Sequence, residues 1–427
     1  MEVVYERGAG LDVHKKTVVG CAIVPGAAGH PRRAIRRFET MLDELAALAW
    51  WLAEQGVTHV ALESTGVYWQ PVWNVLEAHG GFALLLVNAR HIKAVPGRKT
   101  DVRDSEWLAE LLRHGLVRGS FVPDRAQREL REVTRYRTAL IEERSAHVNR
   151  LQKTLEAANI KLGSVASDVT GVSARAMLAG LVAGPAAPAT LAALAVGRLR
   201  DKLPALERAL AGRFGDHQRY LVPRILAAID FLEAEIADLD ARVAELERPF
   251  GAAVDRLDAI PGVGRRVAES LVAEVGPTVD RFPTAQHLAS WAGLCPGNHE
   301  SGGKRLSGKT RKGNRALRRV LVQAAHAAAR APQTYLSAPY RRLAARRGKK
   351  RAAVAVAHSI LVITYHLLLD PTVPFHELGP DYFDRRTSDA TRRRLVERLE
   401  HLGFDVTSPD GWPDPCATPF SEQRRIR

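Results

Sequence analysis

The chain has 427 residues, 46% hydrophobic and 26% charged, which is material for two or three folded domains and not for a disordered polymer. Its three cysteines, Cys21, Cys295 and Cys416, stand far apart, which argues against a Cys-rich zinc site or a disulfide framework and fits a reducing cytoplasm. Lys and Arg number 62 against 47 Asp and Glu, and the sixteen Lys or Arg between Ser301 and Leu369, with no Asp or Glu among them, hold the whole net charge of +15. A solvated face mixes signs, so a one-sign segment points to a polyanionic partner, most simply nucleic acid, with a merely solubilising surface as the plainer reading. The start, MEVVYERGAG, does not read as a signal peptide, and no unbroken run of eighteen apolar residues occurs, so no membrane partner is expected.

Residues 1–120 alternate strands and helices. Apolar runs at Gly10–Val13 and Thr17–Val24 flank a Lys-rich turn, and Arg32 to Phe38 supplies a third strand of an antiparallel meander. Met41 to Gln55 has helical spacing, His59 to Glu63 reads as a strand, and a helix is expected near Pro71 to His79. Phe82 to Val87 is a fully apolar strand, and Asp104 to His114 is helical. Together these predict an α/β core.

The middle, residues 121–250, is helical. Ala126 to Leu162 carries spaced apolar positions. Ile225, Ile229, Leu232, Ile236, Leu239, Val243 and Leu246 alternate steps of four and three, which is a coiled-coil seam. The seam can pair between chains, fold back as a hairpin, or pack as an ordinary helix of the same chain. A basic region follows over 251–370 and ends in the apolar helix Ala352 to Leu369. The extension 371–427 holds a charged helix near Ala390 to Leu402 and a Pro-rich, loose end.

Candidate chemistry lies in both halves. Asp12 interrupts a buried strand and Glu63 ends another, positions that cost several kcal/mol unless the carboxylate is paired or binds a metal. Asp101 and Asp104, three apart at a helix start, point to one side of its first turn. Four carboxylates from two strands and one helix form an oxygen-only donor set suited to Mg²⁺ or Mn²⁺, of the kind that flanks a phosphodiester. Each has a plainer role: Asp101 and Asp104 as helix N-terminal carboxylates, Asp12 as a turn cap, Glu63 as the partner of an arginine.

Farther along, Ile260-Pro261-Gly262-Val263-Gly264-Arg265 is a GxG turn entering a helix, able to offer bare N–H groups to a phosphate or simply to join two helices. A Gly-rich stretch then places Ser301 beside Gly302 and Gly303 and ahead of Lys304, Arg305, Lys309, Arg311, Lys312 and Arg315. A hydroxyl nucleophile needs such charge around the reacting phosphoryl group, although a loop serine is the commoner case and Ser307, Tyr335 and Tyr340 are equally arguable on chemistry alone.

The segments LDVHK, ALESTGVYW and KTDVRDSEWLAELL, followed in order by IPGVG, FPTAQHLASWAGLCPG and ESGGKRLSGKTRKGNRALRRVL, resemble the DEDD-type insertion-sequence transposases. These are relatives of the Piv-type DNA invertases, and the family includes the bridge-RNA-guided serine recombinases. The resemblance covers nearly the whole chain. It implies a ribonuclease-H-like, RuvC-like metal domain, a coiled coil and a mostly helical transposase domain with a helix-hairpin-helix-like element. It also implies Asp12, Glu63, Asp101 and Asp104 as ligands of Mg²⁺ (or Mn²⁺), and Ser301 as a nucleophile that forms a phosphoserine link to DNA. Further implications are a site composed from two subunits, a homo-oligomer from dimer to tetramer, DNA element ends and target as partners, and a noncoding guide RNA. The setting would be the cytoplasm of a prokaryote, at the nucleoid. The alternatives are a metal-dependent junction nuclease using water, and a non-catalytic nucleic-acid-binding protein.

Overall fold

The computed structural model describes residues 2–26, 30–64, 66–88, 101–386 and 388–403. Of Asp101, Val102, His299, Arg305, Asp384, Arg386 and residues 388–394 it describes the backbone only. The loose end expected at the C-terminus, with Cys416, lies outside these residues. The chain divides into two compact units, Met1–Asp124 and Arg125–Arg427.

The first unit is built on a sheet of order β3-β2-β1-β4-β5-β6. Its strands are β1 (Gly8–Val13), β2 (Thr17–Pro25), β3 (Pro31–Glu39), β4 (His59–Glu63), β5 (Ala83–Val87) and β6 (Gly119–Ser120). The first three form the expected antiparallel meander, whereas β4 runs parallel to β1 and β5 parallel to β4. Helices α1 (Leu42–Glu54) and α2 (Trp69–His79) cover one face, where Phe38, Leu48, Trp51, Leu52, Val72 and Leu76 make the core. Helix α3 (Asp101–Arg113) covers the other through Leu108 and Leu112 against Ala61 and Val87. One expectation is corrected: β5 is apolar but not fully buried, because Ala83 is exposed and only Leu86 and Val87 are enclosed.

The second unit is mostly helical. Helices α4 (Arg125–Ala157) and α5 (Val172–Ala183) are followed by α6 (Leu203–Leu210) and α7 (Asp216–Leu246). Then come α8 (Gly251–Asp258), α9 (Arg265–Val275) and α10 (Ala285–Trp291), a hairpin of β7 (His299–Ser301) and β8 (Lys304–Ser307), and α11 (Arg315–Arg330), α12 (Ser337–Arg347) and α13 (Lys349–Leu369).

The heptad seam of α7 is spent inside the chain. Ile225 and Ile229 join a core with Leu151, Leu155 and Met177, Leu232 and Ile236 meet Leu140 of α4, and Val243 enters the core of the basic region beside Leu130. A seam buried against the protein's own α4 is not open for another subunit, so it lends no support to a tetramer.

Helix α13 is long and apolar enough by composition to cross a membrane. Here Val356, Ala357, Ile360, Leu361 and Tyr365 pack instead into the same core as Leu271, Leu321 and Leu288, and the Tyr365 hydroxyl donates to the Phe282 carbonyl at 3.0 Å. It is a core helix of the basic region.

Candidate functional site

Strand register brings the first two carboxylates together. On parallel strands β1 and β4, Leu11 pairs with Leu62, so Asp12 and Glu63 are the next neighbours and point to the same face. That face carries α3. A Cβ built on Gly10 would stand 2.4 Å from the Ser105 carbonyl oxygen and 2.5 Å from the Ala109 nitrogen, while Gly8 faces Leu112. Helix α3 therefore crosses β1 with its first turn toward Asp12, and that turn carries Asp101 and Asp104. The helix begins at Asp101, one turn earlier than the sequence pattern alone suggests.

Asp12 is only 4% exposed, and its Oδ2 lies 3.1 Å from His14 Nε2. Glu63 and Asp104 are half-buried. Among the described residues no three acidic, imidazole or thiol groups stand close enough to share an ion, and the Asp101 side chain is not among those described. What the fold supplies is Asp12 and Glu63 on neighbouring strands and, on the helix that crosses them, the turn that carries Asp104, carboxylates of the donor type that Mg²⁺ or Mn²⁺ takes.

In the second unit, Ser301 stands at the tip of a tight hairpin. It pairs with Lys304 across Gly302 and Gly303, whose φ values of +56° and +74° make a two-residue turn of the primed type. The expected Gly-rich loop is therefore a β-hairpin, and Ser301, Lys304, Lys309, Arg311, Lys312 and Arg315 are all exposed on or beside it. Of Arg305 only the backbone is described. The Ser307 hydroxyl is occupied in the turn, accepting from the Lys309 N–H at 3.2 Å.

The hairpin is clamped at its base. Gly313 lies against Gly293 so closely that a Cβ would meet the Gly293 nitrogen at 2.3 Å, and Gly297 donates to the Lys309 carbonyl at 3.0 Å. Arg318 donates to the Gly293 carbonyl at 3.2 Å and to Thr310 Oγ1 at 2.9 Å.

Two family models match the chain, the first running through the sheet unit and on through α4, the second lying within the basic region. One, a DEDD transposase model of the IS110 type described as "Transposase", covers residues 9–160, and the second, "Transposase IS116/IS110/IS902 family", covers 254–341. The chain belongs to this family of transposases. The transposase is 26% identical over 301 residues, 67% of this chain and 72% of the relative, to a Coxiella burnetii protein named "Transposase for insertion sequence element IS1111A". It is 27% identical over 322 residues, 72% of this chain and 83% of the relative, to a Pseudomonas aeruginosa protein named "Probable family 20 transposase".

The GxG turn of the transposase splits in role. Gly262, at φ +86°, fits against α11 where a Cβ would stand 2.5 Å from the Ala328 nitrogen, so its first duty is packing. Gly264 is exposed at the start of α9, with open space around it. Arg265 is already engaged by Glu247 and by Asp255 at 2.6 Å, and the hydrogen bond to Glu247 raises its pKa further.

The sequence reading did not single out Gly10, Asn314, Glu274 or Arg137. Gly10 carried a signal, since a glycine inside a buried strand marks close approach of another backbone. Glu274 is 2% exposed and collects Arg135 Nε at 2.6 Å and Asn314 Nδ2 at 2.6 Å. Arg137 is buried between Glu269 at 2.6 Å and Asp240 at 2.8 Å.

Proposed function

We propose that the protein is a DNA transposase or site-specific recombinase of an insertion sequence, with a ribonuclease-H-like metal domain and a serine nucleophile on a separate hairpin. The observation that carries this reading is the strand register that sets Asp12 beside Glu63 on the face crossed by α3. Asp12, Glu63, Asp101 and Asp104 would hold a divalent ion, Mg²⁺ or Mn²⁺. When bound, such an ion neutralises the charge that develops on a phosphodiester under attack.

The remaining chemistry belongs to side chains. The Ser301 hydroxyl attacks phosphorus, forming an Oγ–P bond as the P–O bond to the departing strand breaks. The hydroxyl proton is released and the departing oxygen takes one up. Reversal of this step with a different strand end transfers the phosphoryl group to a new partner and frees Ser301. The exposed Lys304, Lys309, Arg311, Lys312 and Arg315, with Arg305, would hold the flanking phosphates. The exposed N-terminus of α9 at Gly264 would add backbone N–H donors. Arg265, engaged by two carboxylates, contributes through the turn's structure. In this proposal the metal domain of one subunit acts with Ser301 of another, and a noncoding RNA of the element directs the choice of target.

A covalent-trapping assay tests it. Full-length protein, Mg²⁺, a DNA junction substrate and the element's flanking RNA are mixed, denatured and resolved on a gel. A protein–DNA adduct lost in both Ser301→Ala and Asp104→Ala is expected, and omission of the RNA reads out guidance. Cleavage without adduct, unchanged in Ser301→Ala, would identify a water-using nuclease. Salt-sensitive binding with no cleavage in any variant would identify a non-catalytic binder.

A further inference from the structure

The meander that carries Asp12 also carries four arginines on its outermost strand. Arg32, Arg33, Arg36 and Arg37 lie on β3, at one end of the sheet order, and all four are exposed. Alternation along the strand sorts them by face. Phe38 packs its ring 5.6 Å from Trp51 of α1, and Arg36 lies over Phe38 at 4.8 Å, so Arg32 and Arg36 belong to the α1 side. Arg33 is ion-paired with Glu110 of α3, so Arg33 and Arg37 belong to the face of the carboxylates.

Register then separates that second pair. Val19 of β2 pairs with Asp12 on one side and with Arg37 on the other. Glu63, Asp12, Val19 and Arg37 thus form one row across the sheet, with Arg37 two strand spacings, about 9–10 Å, from Asp12. Arg33 sits at the opposite end of the row direction, level with Gly8 through Ile23, and Glu110 already compensates it. The β1–β2 turn completes the Asp12 end. Lys15 and Lys16 are exposed there, and the Lys15 carbonyl accepts the Thr40 hydroxyl at 3.0 Å, tying the turn to the end of β3. Glu39 is the one opposing charge of β3, a row beyond Arg37 and exposed.

We propose that Arg37 and Lys15 form a rim that grips the phosphate backbone of the substrate DNA beside the carboxylate face. The inference rests on the functional reading above, and it places a DNA contact in the first unit, in addition to the basic segment of the sequence that holds the net charge. An arginine two strands from Asp12 has the reach and the fork geometry for a phosphate near the one the carboxylates serve. Charges on an edge strand also guard against strand-to-strand association, but that duty is indifferent to face, and Arg32 and Arg36 already discharge it. The alignment of Arg37 with Asp12 is what distinguishes a DNA contact from edge protection.

The test measures DNA affinity of the full-length protein against salt concentration in EDTA, so that no cleavage is needed. The probe is a labelled duplex of arbitrary sequence, with an RNA duplex of the same sequence in parallel. Loss of two phosphate contacts lowers the slope of log K against log salt on a DNA duplex by about 1.8. That fall is expected for Lys15→Gln/Arg37→Gln, and no change for Arg32→Gln/Arg36→Gln, which removes equal charge from the opposite face of the same strand. Equal falls in both variants, or a fall in neither, would overturn the rim. A fall seen with the RNA duplex alone would overturn the assignment to DNA. Wild-type protein with no salt-sensitive DNA affinity would instead bring down the functional reading, an outcome visible before any variant is made. All four side chains are exposed, and matching thermal melts of the variants confirm intact folds.

Discussion

Gly10 of β1 and Ser105 of α3 are in backbone contact, with room for no atom between them: a Cβ on Gly10 would stand 2.4 Å from the Ser105 carbonyl. The contact holds the first turn of α3, with Asp101 and Asp104, at the end of the sheet where Asp12 and Glu63 lie. Gly10→Ala must push the helix off the strand, since both clashing atoms belong to the backbone. A stability loss of about 1–3 kcal/mol is expected from such overpacking. Metal-dependent DNA cleavage should fall far more than that loss explains, while DNA binding in EDTA stays near wild type. Urea denaturation and a cleavage assay on the same preparation check both parts. Wild-type cleavage in a destabilised variant would show that α3 does not position the site.

Asn314 serves two structures at once. Its Oδ1 accepts from the Leu317 N–H at 3.1 Å, capping α11, while its Nδ2 donates to Glu274 at 2.6 Å. Asn314→Ala removes a cap worth about 1 kcal/mol and one partner of a buried carboxylate. Glu274 keeps Arg135, so the fold should survive. Faster amide exchange is expected at β7 and β8, whose base is held by the adjoining Gly313 against Gly293, with little change in α4. Exchange measured by mass spectrometry resolves the two segments. Uniform change, or none, would remove Asn314 from the support of the Ser301 hairpin.

The carboxylates were legible because a polar residue in a buried strand advertises its cost, as at Asp12. The strand that α3 crosses was not, because periodicity states which face of α3 is apolar and says nothing of what it packs on. Gly10 held that information in the form of a missing side chain. The α7 seam shows the same boundary: Ile229 and Ile236 declare a buried stripe, but an intrachain partner and a second subunit satisfy it equally well, and only the fold shows that α4 takes it. At Ser301 the hairpin was within reach, since Gly-Gly between extended residues favours a primed turn. The density of lysine and arginine drew attention to charge instead. Arg137 gave no warning, because its buried position depends on Asp240 and Glu269 arriving from helices more than a hundred residues away.

That buried arginine is itself open to test. Arg137 is 2% exposed and bridges α4 to Asp240 of α7 and Glu269 of α9. Arg137→Met leaves Glu269 buried with its main cation gone, and a loss of about 3–5 kcal/mol is expected. Adding Glu269→Gln should recover part of it, since the stranded charge is then removed. Denaturant midpoints of the single and double variants give the coupling directly. Additive losses would show that the two side chains do not depend on one another.

His358 makes stability depend on pH. It lies in α13, and burial pushes its imidazole below the ordinary value of 6.5. Above pH 6.5 the folded and unfolded chains both carry it neutral, and its contribution is fully present. As pH falls below that value the unfolded chain takes up a proton that the folded chain resists, so stability is lost until the lowered folded value is passed. His358→Gln has no such proton to bind. Wild type should therefore lose more stability than the variant between pH 7.5 and pH 5.5, measured as the shift in urea midpoint. Every other titrating group is common to both proteins, so the difference between the two shifts isolates this side chain. Equal shifts would mean that the imidazole is as free to take a proton in the folded unit as in the unfolded chain.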